Sequence, residues 1–120
     1  MTRDEFLENI PKEIQPELGD IYDAHDGRCY LYVDSAIDGG VLVVAKPKAG
    51  FLEYKRLTNE LTKTKGDKGQ AMRNYALACT AYPDRERARK IYDDLPALMT
   101  IVVGDAQELA GSGIQRLGNA

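Results

Sequence analysis

The sequence predicts one α+β domain in which an antiparallel β-hairpin, at about residues 28–46, packs against a mainly helical C-terminal half. Three patterns predict this class. Side-chain polarity alternates with a period of two over residues 28–33, a run of five apolar residues follows at Val41–Ala45, and apolar residues recur at helical spacing beyond residue 49. The chain has 120 residues, of which 43% are hydrophobic and 29% charged, so it suits a single core. We therefore assign residues 1–111 to the domain and residues 112–120 to a flexible tail.

The N-terminal segment predicts one helix and leaves a second ambiguous. Thr2 and Glu5 form a capping-box pair, which predicts a short helix over residues 3–9. Apolar residues from Ile14 to Tyr22 then recur at helical spacing, but Pro16 would remove a backbone donor if it lay in the middle of a helix. We place the second helix at residues 17–24.

The hairpin carries its side chains on two faces. Its first strand directs Cys29, Leu31 and Val33 to one face and Tyr30 and Tyr32 to the other. Asp38-Gly39 can supply the positive φ angles of a tight two-residue turn before the second strand. A two-stranded sheet needs a further strand or helices to cover its apolar face, and the sequence offers helices. The hairpin also leaves an edge that can pair with a second copy.

Four helices are predicted beyond the hairpin, over residues 49–63, over residues 67–81, after the capping residue Asp84, and from Pro96 to a C-cap at Gly111. Their apolar stripes predict these inward residues: Phe51, Tyr54, Leu57, Leu61, Ala71, Met72, Tyr75, Ala78, Cys79, Tyr82, Ala88, Ile91, Tyr92, Leu95, Leu98, Ile101, Val102 and Leu109. The polar segment at residues 63–69 contains Gly and Lys but lacks the spacing of a phosphate-binding loop, so we interpret it as a mobile loop.

The sequence predicts no catalytic residue, metal ligand or cofactor. His25 is the single histidine and lies in a turn-like context between Ala24 and Asp26. Cys29 and Cys79 lie within apolar patterns and not in a CxxC pair, so we expect reduced, buried thiols. A net charge of −3 disfavours nucleic-acid binding. No apolar run is long enough to span a membrane and no export signal is seen, so we expect a cytoplasmic protein.

Tyrosine is enriched, with seven tyrosines against two phenylalanines and no tryptophan. A tyrosine combines a large apolar ring with a hydroxyl that needs a partner, so it suits either the rim of a core or a protein interface. Both interpretations stay open. If the side chains form an interface, the partner-binding residues are Tyr30, Tyr32, Tyr54, Tyr75 and Tyr82, with the hairpin and the helix over residues 67–81 nearest the contact surface.

Several short motifs follow one another between about residues 41 and 111. They are Val43-Val44-Ala45-Lys46-Pro47, Phe51-Leu52-Glu53-Tyr54-Lys55-Arg56, Cys79-Thr80-Ala81-Tyr82-Pro83-Asp84, Leu95-Pro96-Ala97-Leu98 and Leu109-Ala110-Gly111. In this order they resemble the small tail-assembly chaperones and related accessory proteins of tailed bacteriophages and prophages. The first forty residues are not covered, and the motifs are mainly structural.

This resemblance implies a non-enzymatic protein that binds the long tape-measure protein of a phage tail and keeps its apolar helices from aggregating. It would act in the cytoplasm of the bacterial host, without a cofactor and without binding nucleic acid or membrane. The alternative is a small regulatory or adaptor module that forms homo-oligomers through the exposed edge of the hairpin.

Overall fold

The computed structural model describes residues 1–46, 50–62 and 68–112. In chain order the elements are α1 (Arg3–Glu8), α2 (Gln15–Ala24), β1 (Cys29–Val33), β2 (Val41–Ala45), α3 (Gly50–Thr62), α4 (Lys68–Cys79), β3 (Thr80–Tyr82), α5 (Arg85–Asp94) and α6 (Pro96–Gln107), with α6 continuing into a wider π-helical turn at Glu108–Ser112. The predicted α+β class is confirmed.

The sheet has three antiparallel strands in the order β1-β2-β3. Cys29 lies opposite Ala45 and Val33 opposite Val41 in the hairpin, and β3 pairs with the other edge of β2. The two-strand prediction was therefore incomplete, since the helix predicted over residues 67–81 stops at Cys79. Residues 80–82 leave the helix because they supply backbone partners to the free edge of β2.

Helices cover both faces of this sheet. On one face, α3 to α6 pack on a core cluster that includes Leu42 and Val44 of β2. On the opposite face, α1 and α2 contribute Phe6, Ile10 and Leu18 to a second cluster with Val41 and Val43. All five residues of β2 are consequently buried. The hairpin packs on the C-terminal helices with one face, as predicted. Its other face packs on the N-terminal helices, which the prediction did not include.

The N-terminal helices are held by local hydrogen bonds. The Thr2 hydroxyl oxygen accepts a bond of 3.2 Å from the Glu5 N–H and caps α1. α2 begins at Gln15, earlier than predicted, so Pro16 lies in its first turn, where a missing N–H costs nothing. The Gln15 side-chain amide donates to the carbonyls of Leu7 and Ile10 and so ties the end of α1 to the start of α2.

The connection between β1 and β2 spans residues 34–40 and replaces the predicted two-residue turn. Positive φ angles occur at Gly39 and Gly40, at 81° and 79°, and not at Asp38. The Asp34 carboxylate accepts a 2.8 Å bond from the Ala36 N–H, and the Ile37 side chain is buried in the core. Because this side chain anchors the loop, the strands can be joined by a longer connection.

The ends of α5 and α6 follow the predicted signals. The Asp84 carboxylate accepts a 2.9 Å bond from the Arg87 N–H and caps α5, and Gly111 takes a φ of 121° after α6. Residues 63–67, in the predicted mobile loop, and residues 113–120 of the predicted tail lie outside the described residues, as does the side chain of Phe51.

Candidate protein-binding groove

The five tyrosines predicted to contact a partner lie at different depths. Tyr75 on α4 is fully buried, so the structure corrects its assignment to a contact surface. Tyr30, Tyr32, Tyr54 and Tyr82 are half-buried. α4 as a whole is largely a core helix, because its apolar residues pack between α3 and α6. α4 therefore offers little apolar surface to a partner.

Arg28, immediately before β1, and the β1 residues Tyr30 and Tyr32 bind the C-terminal end of α6 and the turn that follows it. Arg28 donates to the Leu109 carbonyl (3.0 Å), the Tyr30 hydroxyl donates to the Glu108 carboxylate (2.8 Å), and the Tyr32 hydroxyl donates to the Asp105 carboxylate (2.5 Å). Alternate residues of a strand share a face, and so do helix positions three and four apart, so the two patterns match. We call this set of contacts the β1–α6 clamp.

The clamp keeps both tyrosine hydroxyls protonated. Burial, followed by the hydrogen bond to Asp105, raises the pKa of Tyr32 above its ordinary value. The hydrogen bond to Glu108 is the main reason that the pKa of Tyr30 is raised. Two of the predicted contact residues thus use their hydroxyls within the chain, which is the behaviour expected at the rim of a core.

An open groove of about 540 Å³ adjoins the clamp, between residues 32–37 on one side and residues 94–101 on the other. We call it the β1–α6 groove. Ile101 lines it with 55% of its surface exposed, and Leu95 and Leu98 are half-buried beside it. Val33 lines it at the end of β1, opposite Val41 in the sheet, so its side chain belongs to the face that α1 and α2 cover. Ile101 was predicted to point inward and does not. Ile101, Val102 and Val103 are consecutive, and three consecutive helical residues cannot all face one side.

Charge in the groove is negative. Asp34 and Asp94 are exposed and line it, whereas no lysine or arginine of the described part of the chain does. The N-terminus of α6 also opens here, but a helix N-terminus carries only about half a positive charge, which does not offset two carboxylates. The groove is therefore an apolar surface with an acidic rim.

His25 lies at a different place, in an open pocket of about 480 Å³ beside the end of β2 and the start of β3. Asp20, Lys46, Cys79 and Thr80 also line this pocket. Burial raises the pKa of the Cys79 thiol to about 12, so the thiol is protonated near neutral pH and is a weak nucleophile. Of the residues that the structure describes, Asp20 supplies the one carboxylate that lines this pocket with His25, so the pocket does not gather several acids around the histidine.

The two cysteines are free thiols in separate clusters. Cys79 is buried as predicted, whereas Cys29 is only half-buried because β1 is an edge strand. Within residues 1–46, 50–62 and 68–112, no group of three or more His, Cys, Asp or Glu side chains could hold a metal ion. Among those same residues, no helix combines the length and apolarity needed to cross a membrane.

The signals that mark the groove were present in the sequence only in part. Val33 and Ile101 were recognised as apolar, but nothing local indicates that residues 32–37 and 94–101 lie side by side. Comparison of the chain with protein-family models, with curated proteins and with solved structures finds no match. The resemblance to tail-assembly chaperones therefore rests on the motifs quoted for it.

Proposed function

We propose that this chain is a non-enzymatic protein-binding protein whose β1–α6 groove takes the apolar ridge of a helix from another polypeptide. Following the resemblance of residues 41–111, we further propose that it acts as a tail-assembly chaperone and that the bound helix belongs to a phage tape-measure protein. The observation that carries the first proposal is the exposed aliphatic side chain of Ile101, which lies beside the half-buried side chains of Leu95 and Leu98 in one groove.

The energetics of the groove support a moderate affinity. Burying a whole aliphatic side chain contributes about 1.5–3 kcal/mol, so covering the exposed half of Ile101 contributes about 1 kcal/mol. Leu95 and Leu98 add to this where they are half-exposed. A contribution of about 2 kcal/mol from these three residues changes a dissociation constant by about thirtyfold. Such a groove suits a chaperone that has to release its partner.

The polar groups of the groove favour a peptide occupant over a small molecule. Sites for small molecules combine an apolar lining with convergent hydrogen-bonding groups. Here the charged groups are the two exposed carboxylates Asp34 and Asp94, and the Asp34 carboxylate already accepts from Ala36. Binding of an amphipathic helix in an apolar groove needs no tuned ionisable group. The acidic rim favours a helix whose apolar ridge is flanked by lysine or arginine.

A synthetic peptide tests the groove directly. The peptide has leucines at helical spacing and lysines elsewhere, and its control has glutamates in place of the lysines. We expect the chain to bind the lysine peptide in a fluorescence anisotropy titration and to bind the glutamate peptide more weakly. Ile101→Asp places a charge in the groove and should weaken binding about tenfold or more. Failure to bind the lysine peptide would refute the groove.

Leu52→Asp is the matched control for Ile101→Asp. Leu52 is an exposed aliphatic residue on a helix, with 79% of its surface accessible, and it does not line the groove. The substitution makes the same chemical change, so binding should stay at the wild-type level. Equal losses from the two variants would show that binding is not localised to the groove.

Co-expression tests the assignment to phage tails. The chain should raise the soluble yield of a tape-measure protein encoded beside it, and Ile101→Asp should abolish this effect while Leu52→Asp should not. If the chain binds the lysine peptide but leaves the tape-measure protein insoluble, the groove stands and the tail-assembly role is wrong.

A further inference from the structure

β1 is an edge strand of the sheet. Its backbone pairs with β2 on one side, and the described part of the chain supplies no backbone partner on the other side. The β1–α6 clamp uses side chains that lie on one face of β1, so it leaves the strand's outer edge untouched. Unpaired edges of this kind invite pairing with another strand.

The pattern of β1–β2 hydrogen bonds shows which backbone groups point outward. The Asp34 N–H donates to the Gly40 carbonyl at 3.2 Å, which continues the β1–β2 register by one residue pair. Backbone groups alternate between the two sides of an antiparallel strand, so those of Tyr30 and Tyr32 also face β2. The N–H and C=O groups of Cys29, Leu31 and Val33 therefore face outward, away from the sheet.

We propose that two copies of this chain associate through β1, antiparallel and related by a twofold axis at Leu31, to form a continuous six-stranded sheet. This register places the outward groups of Cys29 opposite those of Val33 of the second copy, and Leu31 opposite Leu31 of the second copy. The N–H and C=O groups that face each other across the two copies are then those that make no hydrogen bond to β2. The proposal does not depend on the groove or on its occupant.

Side chains select this register over its neighbours. Facing residues of an antiparallel pair share a face of the sheet, so Tyr30 lies beside Tyr32 of the second copy. Arg28 lies beside Asp34 of the second copy, and the twofold axis places this charged pair at both ends of the paired strands. If one strand slid by one residue, the outward groups of one copy would lie opposite residues of the other copy whose N–H and C=O groups already bond to β2. Moving the axis by one residue along β1 would keep the backbone alternation but separate Arg28 from Asp34. The sequence Arg28-Cys29-Tyr30-Leu31-Tyr32-Val33-Asp34 is thus complementary to itself in charge, aromatic pairing and apolar pairing.

The two charged residues are able to make these contacts. Both Arg28 and Asp34 are exposed. Arg28 donates one N–H to Leu109 and keeps further donors in its guanidinium group. Asp34 uses its Oδ1 atom for Ala36, which leaves its Oδ2 atom open. Within one chain, Arg28 and Asp34 stand about 20 Å apart at opposite ends of the strand, so they cannot pair with each other.

Complementary charge reversal tests the proposal. In size-exclusion chromatography with light scattering, the wild-type chain should approach twice its 13.3 kDa mass as its concentration rises. Arg28→Glu or Asp34→Arg alone turns both end contacts of the pair into like-charge contacts, and each should weaken association about tenfold or more. An equimolar mixture of the two variants restores opposite charges at both ends, so it should form mixed dimers. The double variant should dimerise as well.

Mixing the two variants distinguishes an interface effect from a folding defect. A variant that is misfolded stays misfolded when the other variant is added, so mixing restores dimers only if the charges meet at the interface. Asp38→Arg is the matched control, because Asp38 is exposed in the same loop as Asp34 but has no facing residue in this register. It should dimerise like the wild type, and Arg28→Glu should keep the wild-type circular dichroism spectrum. A monomeric wild type at every concentration, undiminished dimers in both charge variants, or a mixture that stays monomeric would each overturn the proposal.

Discussion

The hydrogen bond between Tyr32 and Asp105 is expected to be the strongest polar contact of the β1–α6 clamp. Its donor and acceptor are 2.5 Å apart and partly buried, and the acceptor is a carboxylate. Hydrogen bonds to charged groups contribute about 1.5–3 kcal/mol, and partial access of water reduces this to about 1–2 kcal/mol. Tyr32→Phe should therefore lower the free energy of unfolding by about 1–2 kcal/mol. For a chain of this length, the midpoint of thermal unfolding should fall by about 4–8 °C.

Tyr30→Phe is the matched control within the same clamp. It removes the same atom from a tyrosine two residues away on the same face, but its bond to Glu108 is exposed. Exposed contacts contribute between about 0 and 1 kcal/mol, so its midpoint should fall by less than about 4 °C. Unfolding followed by circular dichroism measures both variants. A loss for Tyr32→Phe no larger than that for Tyr30→Phe would refute the ranking.

A double-mutant cycle isolates the Tyr32–Asp105 pair. Tyr32→Phe, Asp105→Ala and the double variant are unfolded in urea, and the coupling is the part of the loss that the single variants share. We expect a coupling of about 1 kcal/mol or more. A coupling near zero would show that the hydroxyl and the carboxylate act independently, whatever the size of the single effects.

Further predictions concern residues away from the clamp. Asp84→Ala removes the cap on the Arg87 N–H and should cost about 1 kcal/mol in thermal unfolding, with unchanged stability counting against the cap. The buried Tyr75 hydroxyl lies near Tyr54 but makes no hydrogen bond of ordinary geometry among the described residues, so Tyr75→Phe should be neutral or stabilise the fold by up to about 1 kcal/mol, and a clear loss in urea unfolding would contradict this. Burial raises the pKa of Cys79 from 9.0 to about 12, so above about pH 9 the unfolded chain releases a proton that the folded chain keeps, and stability falls as pH rises. Cys79→Ala should reduce this loss by about 1 kcal/mol between about pH 9 and pH 10, and an identical pH dependence in both proteins would refute the assignment.

Much of the fold could be predicted from the sequence where the signals are local. Thr2 and Asp84 mark helix starts because a capping hydroxyl or carboxylate reaches an N–H only three residues ahead. The alternation over residues 28–33 and the apolar run at Val41–Ala45 identified the hairpin strands, since neighbouring residues of a strand face opposite sides. Side-chain types and their spacing carry this information without any knowledge of the neighbouring elements.

The third strand and the depth of the tyrosines could not be predicted in this way. Residues 80–82 form β3 because the free edge of β2 is within reach, and three residues are too few to show a period of their own. The spacing of Tyr75 placed it on an apolar stripe, but only the packing of α4 between α3 and α6 decides that its side chain is fully buried. Tyr30 and Tyr32 found acceptors more than seventy residues along the chain.

What the sequence by itself determined is the α+β class, the helix caps and the strands of the hairpin, because each depends on contacts between residues close along the chain. Only the tertiary structure decided where apolar surface stays exposed. The β1–α6 groove joins residues 32–37 to residues 94–101, and the outer edge of β1 is open because β3 pairs with β2 instead. Both surfaces depend on which elements pack against one another. That arrangement is stabilised by contacts throughout the core and not by any one local segment.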